Sequence, residues 1–306
     1  MLLGQALKHS LFIGEGEDRS MRFFFMMAMI GFVSQLIDGS LGMAYGVTTS
    51  TLLLGLGIAP ALASASIHIA ELGTTSASAI SHWKFGNVDL KKILWLGLPG
   101  GVAAFLGAIA LTSISGETAR PWVSLILAGL GVYILIRFAF KKSAVMARQR
   151  VISGKFLFPL GCIAGFMDAI GGGGWGPIAT PTLLVSGRME PAKVVGTVDA
   201  SEFLVALGAS IGFLLILDIN HLPWNIVGAL LVGGVIAAPL AAYLVRILPV
   251  RIMGTAVGGM ILLTNVRTLM LSTNISLSFV YPLIVVIWLA ALIHAYTLVR
   301  KEPFRV

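Results

Sequence analysis

Gly165-Phe166-Met167-Asp168-Ala169-Ile170-Gly171-Gly172-Gly173-Gly174-Trp175-Gly176-Pro177 is a hydrophobic helix interrupted by four consecutive glycines beside an aspartate. A run of glycines lets the backbone leave the helical region without steric cost, so the helix breaks there and restarts near Trp175. The same pattern stands about 130 residues earlier, as Gly31-Phe32 and then Asp38-Gly39-Ser40-Leu41-Gly42-Met43-Ala44-Tyr45-Gly46. The correspondence holds in register: Asp38 with Asp168, Tyr45 and Gly46 with Trp175 and Gly176, and, after one inserted residue, Pro60, Ala61 and Glu71 with Pro191, Ala192 and Glu202. Gly100, Gly101 and Val102 then match Gly233, Gly234 and Val235, and Gly129 and Arg137 match Gly259 and Arg267. Paired, interrupted hydrophobic segments in two halves of a chain point to a binding site between inverted repeats in a membrane.

Composition sets the class. The 306 residues are 57% hydrophobic and 11% charged, with 36 glycines, and the mean hydropathy is +0.95. These values lie far outside the range of soluble domains and predict an all-α, polytopic integral membrane protein. The net charge of +8 does not imply a nucleic-acid partner, because the basic residues fall in loops between apolar spans and read as topology determinants. The single cysteine, Cys162, excludes an intrachain disulfide and a thiolate metal cluster, and reads as a small packing residue. Glu15, Glu17 and Asp18 break the order of a cleavable signal peptide, so the start is expected to be retained.

Uninterrupted spans are predicted over 61–82, 93–112, 122–140, 194–217, 224–248, 252–271 and 279–299. Each is close to the ~20 residues that cross ~30 Å of hydrocarbon. The stretch 156–170 and the segment after Trp175 are too short, and read as the two arms of a re-entrant hairpin; 21–57 forms the matching hairpin of the first half. The basic linker Lys141, Lys142, Arg148, Arg150 and Lys155 is expected on the cytoplasmic side, with Lys84, Lys91, Lys92, Arg246, Arg251, Arg300, Lys301 and Arg305. The pattern is consistent only if Arg188 and Lys193 are inside while the turn before Pro60 is outside, which inverts the two halves. The predicted organisation is an N-terminal segment over 1–20, a first repeat over 21–140, the linker over 141–155, a second repeat over 156–271, and an extra helix with a cytoplasmic tail over 272–306. Each repeat holds one hairpin and three transmembrane helices, and localisation to the cell membrane follows.

Backbone groups freed by the breaks are tolerated in lipid only where protein buries them or they line a wet cavity. The restarting arms aim amide groups and a partial positive charge inward, a geometry suited to an anion. Candidate substrate-binding residues are therefore Gly39, Gly42, Tyr45, Gly46 and Thr48 in the first half and Gly171, Gly172, Gly173, Gly174, Trp175, Gly176 and Thr180 in the second. Tyr45 and Trp175 read either as gates or as packing groups. Glycines such as Gly100, Gly101, Gly107, Gly233, Gly234, Gly258 and Gly259 read instead as close helix packing.

Five acidic residues fall at membrane depth, Asp38, Glu71, Asp168, Asp199 and Glu202, where a carboxylate costs ~2.5–3.5 kcal/mol on insertion scales. Asp38 and Asp168 either cap the restarting arms, the favoured alternative, or take up protons. Glu71, Glu202, Asp199 and His68 are the candidates for proton coupling, with packing as the competing role for His68. No metal site or cofactor is expected, since the histidines His9, His68, His82, His221 and His294 show no ligand spacing.

The glycine run followed by Pro177 and Pro181, the Pro-Ala restarts at Pro60 and Pro191, and Gly196-Thr197, repeated in two halves, resemble the TauE/SafE family of membrane permeases, the sulfite exporter group. The first copy departs from the family pattern, with its run diluted to Gly39, Gly42 and Gly46 and Val47 in place of proline. The resemblance implies a secondary transporter, often an exporter, of sulfite or another small sulfur-containing anion, with the lipid bilayer as its surroundings. Two alternatives compete: a passive anion channel, which needs no intramembrane carboxylates, and an intramembrane hydrolase built on Ser40, His68 and Asp38. The duplication weighs against the hydrolase, because Ile170 and Asp199 replace Ser40 and His68 in the second copy.

Overall fold

The computed structural model describes residues 16–140, 152–186, 188–244, 250–273 and 279–301. The linker charges Lys141, Lys142, Arg148 and Arg150, together with Arg246 and Arg305, lie outside the described residues.

Among the described residues the chain forms helices α1 Gly16–Leu41, α2 Tyr45–Gly55, α3 Pro60–Lys84, α4 Leu90–Thr112, α5 Gly116–Ala139, α6 Gly154–Gly171, α7 Trp175–Ser186, α8 Pro191–Ile216, α9 Trp224–Leu244, α10 Val250–Thr273 and α11 Val280–Lys301, with a short 3₁₀ turn at Ile219–His221. Helix starts follow local chemistry. Pro60 and Pro191 occupy the first turn, where a missing N–H costs nothing. Ser115 caps α5 by accepting from the Thr118 amide, so that helix begins more than a turn before the apolar run at Trp122. Asp89 caps α4 through the Lys92 amide at 3.2 Å. Partial burial works against the Asp89 charge, but hydrogen bonds from Lys92 outweigh it and hold the carboxyl below its ordinary value.

Among the described residues, eight helices are long and apolar enough to cross a membrane: α1, α4, α5, α6, α8, α9, α10 and α11. The surface is correspondingly inside-out, with Leu94, Leu98, Val102 and Leu106 of α4 and Val286 and Ile293 of α11 exposed. Helix α3 is as long as these but too polar to qualify; its Ser64, His68, Glu71, Thr74, Ser78 and His82 are all buried at the centre. The first arm of each hairpin is longer than the sequence predicted. Helix α6 has 18 residues and α1 has 26, whereas α2 and α7 have 11 and 12. The extra length of α1 is a two-turn N-terminal extension before Phe24, the counterpart of Gly154.

Contacts place both ends of each hairpin. A Cβ on Gly154, at the start of α6, would meet the Trp95 ring near the start of α4, and one on Gly196, in the second turn of α8, would meet Asn87. The Asp89 amide donates to Thr197 Oγ1 at 3.0 Å. Both ends of the α6–α7 hairpin therefore lie at the end of the bundle that holds Lys84, Lys91, Lys92, Lys155, Arg188 and Lys193. The α1–α2 hairpin opens the other way. Gly31 abuts Leu230 of α9, Gly116 abuts Ala59 and Pro60, and Arg120 Nη2 donates to Gly57 O at 2.8 Å. Packing exchanges between halves in the same sense: α6 lies on α4 as α1 lies on α9, α4 on α8 as α9 on α3, and α5 meets α10 as α3 meets α8. Helix α11 covers α10 and the end of α5, with Trp288 against Gly259 and His294 stacked on Phe140, which brings Arg300 to the basic end.

Candidate functional site

The two breaks meet at the centre of the bundle. Leaving the helix requires left-handed backbone, at Gly42 (φ 68°) and Ala44 (φ 99°) in the first half and at Gly172 (φ 64°) and Gly173 (φ 154°) in the second. Each break lies against the restarted helix of the other half. Ser50 Oγ of α2 donates to Gly172 O at 2.6 Å, and its counterpart Thr180 of α7 donates to Gly42 O. A Cβ on Gly46 would stand 2.6 Å from Gly172 O, and one on Gly176 2.5 Å from Met43 Cα, so glycine is what lets the two backbones touch.

The aspartates hold the restarts. Asp168 Oδ1 accepts from the Gly174 amide at 2.6 Å and the Trp175 amide at 2.9 Å. Asp38 Oδ1 accepts from the Tyr45 amide at 3.2 Å. Amides that the sequence offered to a substrate are thus engaged by carboxylates in this conformation. The aromatic residues cross between halves: Trp175 packs on Gly100 of α4 and donates to Val198 O at 3.0 Å, while the Tyr45 hydroxyl donates to Leu230 O of α9 at 3.4 Å.

The five buried carboxyls and His68 form two triads, each with ligand atoms within 4.8 Å of one another: His68, Glu71 and Asp168, and Asp38, Asp199 and Glu202. The triads are counterparts in the repeat, and each is built across the halves. Asp168 from the second break joins His68 and Glu71 of α3; Asp38 from the first break joins Asp199 and Glu202 of α8. His68 Nε2 lies 3.0 Å from Asp168 Oδ2 and 4.0 Å from Glu71 Oε2, and its Nδ1 is 2.7 Å from Ser64 O. Both oxygens of Glu71 and of Asp199 are buried without a hydrogen-bond partner, as are Thr48 Oγ1, Thr74 Oγ1, Ser78 Oγ, His82 Nε2 and the Gln35 amide. Buried polar atoms are rarely left unpaired; Ser124 Oγ, Ser210 Oγ and Asn265 Oδ1 are buried without a partner as well. Sequence reasoning missed Gln35, Ser78 and His82. The available signal was the spacing of His68, Glu71, Thr75, Ser78 and His82, every three or four residues along one face of α3.

The hydrolase set is not assembled. Ser40 Oγ donates to Leu36 O of its own helix at 2.6 Å, and His68 meets Asp168 and Ser64 instead. Cys162 is half-buried in an apolar groove with Leu94, Trp95, Leu98, Phe158 and Phe166, on the outer surface and away from the triads.

A bundle of membrane-crossing helices around two broken helices that enter from opposite ends, with its charge buried at their meeting point, is the architecture of a polytopic membrane protein. The chain belongs to the sulfite exporter TauE/SafE family, whose profile matches residues 27–268. It is 50% identical over 278 residues to the probable membrane transporter protein YtnM of Bacillus subtilis (strain 168), covering 89% of this chain and 92% of the relative. It is 25% identical over 234 residues to the probable membrane transporter protein YdhB of the same organism, covering 76% of this chain and 93% of the relative. No solved structure matches it. The family and these relatives make the protein a membrane transporter.

Proposed function

We propose that the protein is a secondary transporter that exports a small oxyanion, sulfite or a related sulfur-containing anion, across the cell membrane, with its basic end and C-terminus in the cytoplasm. The single observation that carries this reading is the engagement of the Gly174 and Trp175 amides by Asp168, a carboxylate already sitting where an anion would sit. An oxyanion is chemically the same kind of acceptor. Its arrival displaces Asp168, which takes a proton with His68 and Glu71 at hand, so that anion and proton movements are linked. The hydroxyls of Thr48 and Thr180 and the close backbones at Gly39, Gly42, Gly46, Gly171, Gly172, Gly173 and Gly176 complete the cradle, with Tyr45 and Trp175 as its walls. Opposed hairpins suit alternating access by rocking of one half on the other. Buried carboxyls and mutually closed breaks favour a transporter over a passive channel, which needs neither.

The test is flux of sulfite, sulfate, thiosulfate and a simple sulfonate in proteoliposomes, with and without an imposed pH gradient. Transport of a sulfur oxyanion, abolished in Gly172→Leu and uncoupled from the gradient in Glu71→Gln, is the expected result. Full activity in the glycine variant, or no flux of any of these anions, overturns it.

A further inference from the structure

The two triads occupy equivalent places but are not chemically alike. In the first, the His68 imidazole stands between Asp168 and Glu71 and supplies a donor of its own. In the second, Asp199 takes the place of His68, so three carboxyls face one another. Their residues are 2%, 1% and 5% exposed for Asp38, Asp199 and Glu202, so water does little to offset the charge. Neither oxygen of Asp199 has a hydrogen-bond partner. Among the described residues the nearest cationic candidate, His82 Nε2, is 4.0 Å from Asp199 Oδ2, outside hydrogen-bond reach.

The number of carboxyls served separates the two ways of neutralising such a group. A proton shared between Asp38 and Asp199, direct neighbours within the triad, draws only those two together, to ~2.5–2.7 Å. A hard cation binds carboxylate oxygens at ~2.3–2.6 Å and so reaches all three carboxyls, whose ligand atoms lie within 4.8 Å of one another. Ser78 Oγ, itself unpartnered, lies beside Asp199 as a further oxygen donor. An all-oxygen set does not suit thiophilic metals.

We propose that Asp38, Asp199 and Glu202 bind a hard cation, sodium or calcium, which does for the second triad what the imidazole of His68 does for the first. Such an ion bridges the first break and α8 of the second half. Its part as a coupling ion rests on the transporter reading above; its binding does not.

The measurement is thermal unfolding of the purified, full-length protein in detergent, without any sulfur anion, in sodium, calcium or choline chloride at matched ionic strength. Wild type is expected to show a saturable rise in midpoint with sodium or with calcium, and the salt that produces it identifies the ion. Asp199→His, which installs the internal donor of the other triad, abolishes the response. Asp199→Asn, closer in shape, raises the half-saturating concentration at least tenfold. A wild-type midpoint equal in all three salts overturns the proposal, as does an Asp199→His variant that folds and responds like wild type. A protein that binds the cation yet carries no oxyanion refutes the proposed cargo and leaves the cation site standing.

Discussion

Ser50 Oγ hydrogen-bonds to Gly172 O at 2.6 Å across the interface between the two halves. Thr180 makes the counterpart bond to Gly42 O, so each break is latched by a hydroxyl one turn into the opposite restarted helix. Replacing the donor leaves a buried carbonyl unpaired, a cost of about 1–3 kcal/mol. Ser50→Ala and Thr180→Val are each expected to lower the unfolding midpoint in detergent. Because both report on one interface, the double variant departs from additivity, which a double-mutant cycle measures. Purely additive losses indicate that the latches act independently.

Ala44 stands at φ 99° where the second half has Gly174. A left-handed conformation costs a residue with a Cβ roughly 1–2 kcal/mol. Ala44→Gly is therefore expected to raise stability by about 1 kcal/mol. Gly173→Ala does the reverse, since its Cβ would collide with the backbone of Val47, and overpacking at a backbone contact costs about 1–3 kcal/mol or more. Gly228→Ala, where nothing lies within 4 Å, is the control, with up to about 1 kcal/mol of gain from helix propensity. Equilibrium unfolding of the three variants ranks them, and a Gly173→Ala protein as stable as Gly228→Ala contradicts the packing described.

Asp168 serves two amides and His68, whereas Asp38 serves one amide at 3.2 Å. Asp168→Ala is expected to cost several times more stability than Asp38→Ala, on the order of 3 kcal/mol against 1 kcal/mol. Asp168→Asn keeps an acceptor for the restart and recovers part of the loss. Matched unfolding curves check the order; equal losses at the two aspartates mean that the second restart does not depend on its cap.

The crossing helices were legible because lipid demands apolar runs of nearly fixed length. The run predicted over 93–112 appears as Leu90–Thr112 and that over 194–217 as Pro191–Ile216, whereas that over 61–82 appears as the helix Pro60–Lys84, too polar to count among them. The breaks were legible for the same reason in reverse, since four glycines in a row have no place in an uninterrupted helix. What stayed hidden is pairing at a distance. Asp168 meets His68 across 100 positions, and only the folded chain shows that each triad borrows its aspartate from the opposite half. The sequence favoured Asp168 as a cap of the restarting arm over a proton-binding role, but gave no sign that the same carboxyl also reaches His68.

His68 and Asp199 carry one further consequence. A protein made of two identical, oppositely oriented halves has two conformations that interconvert by exchanging the halves' roles, and by symmetry neither is preferred. Every difference between the halves removes that degeneracy. The replacement of an imidazole by a carboxylate is the sharpest such difference at the centre of this molecule, and the added turns of α1 are another. Under the rocking scheme these two departures from sameness choose the side on which the empty carrier rests.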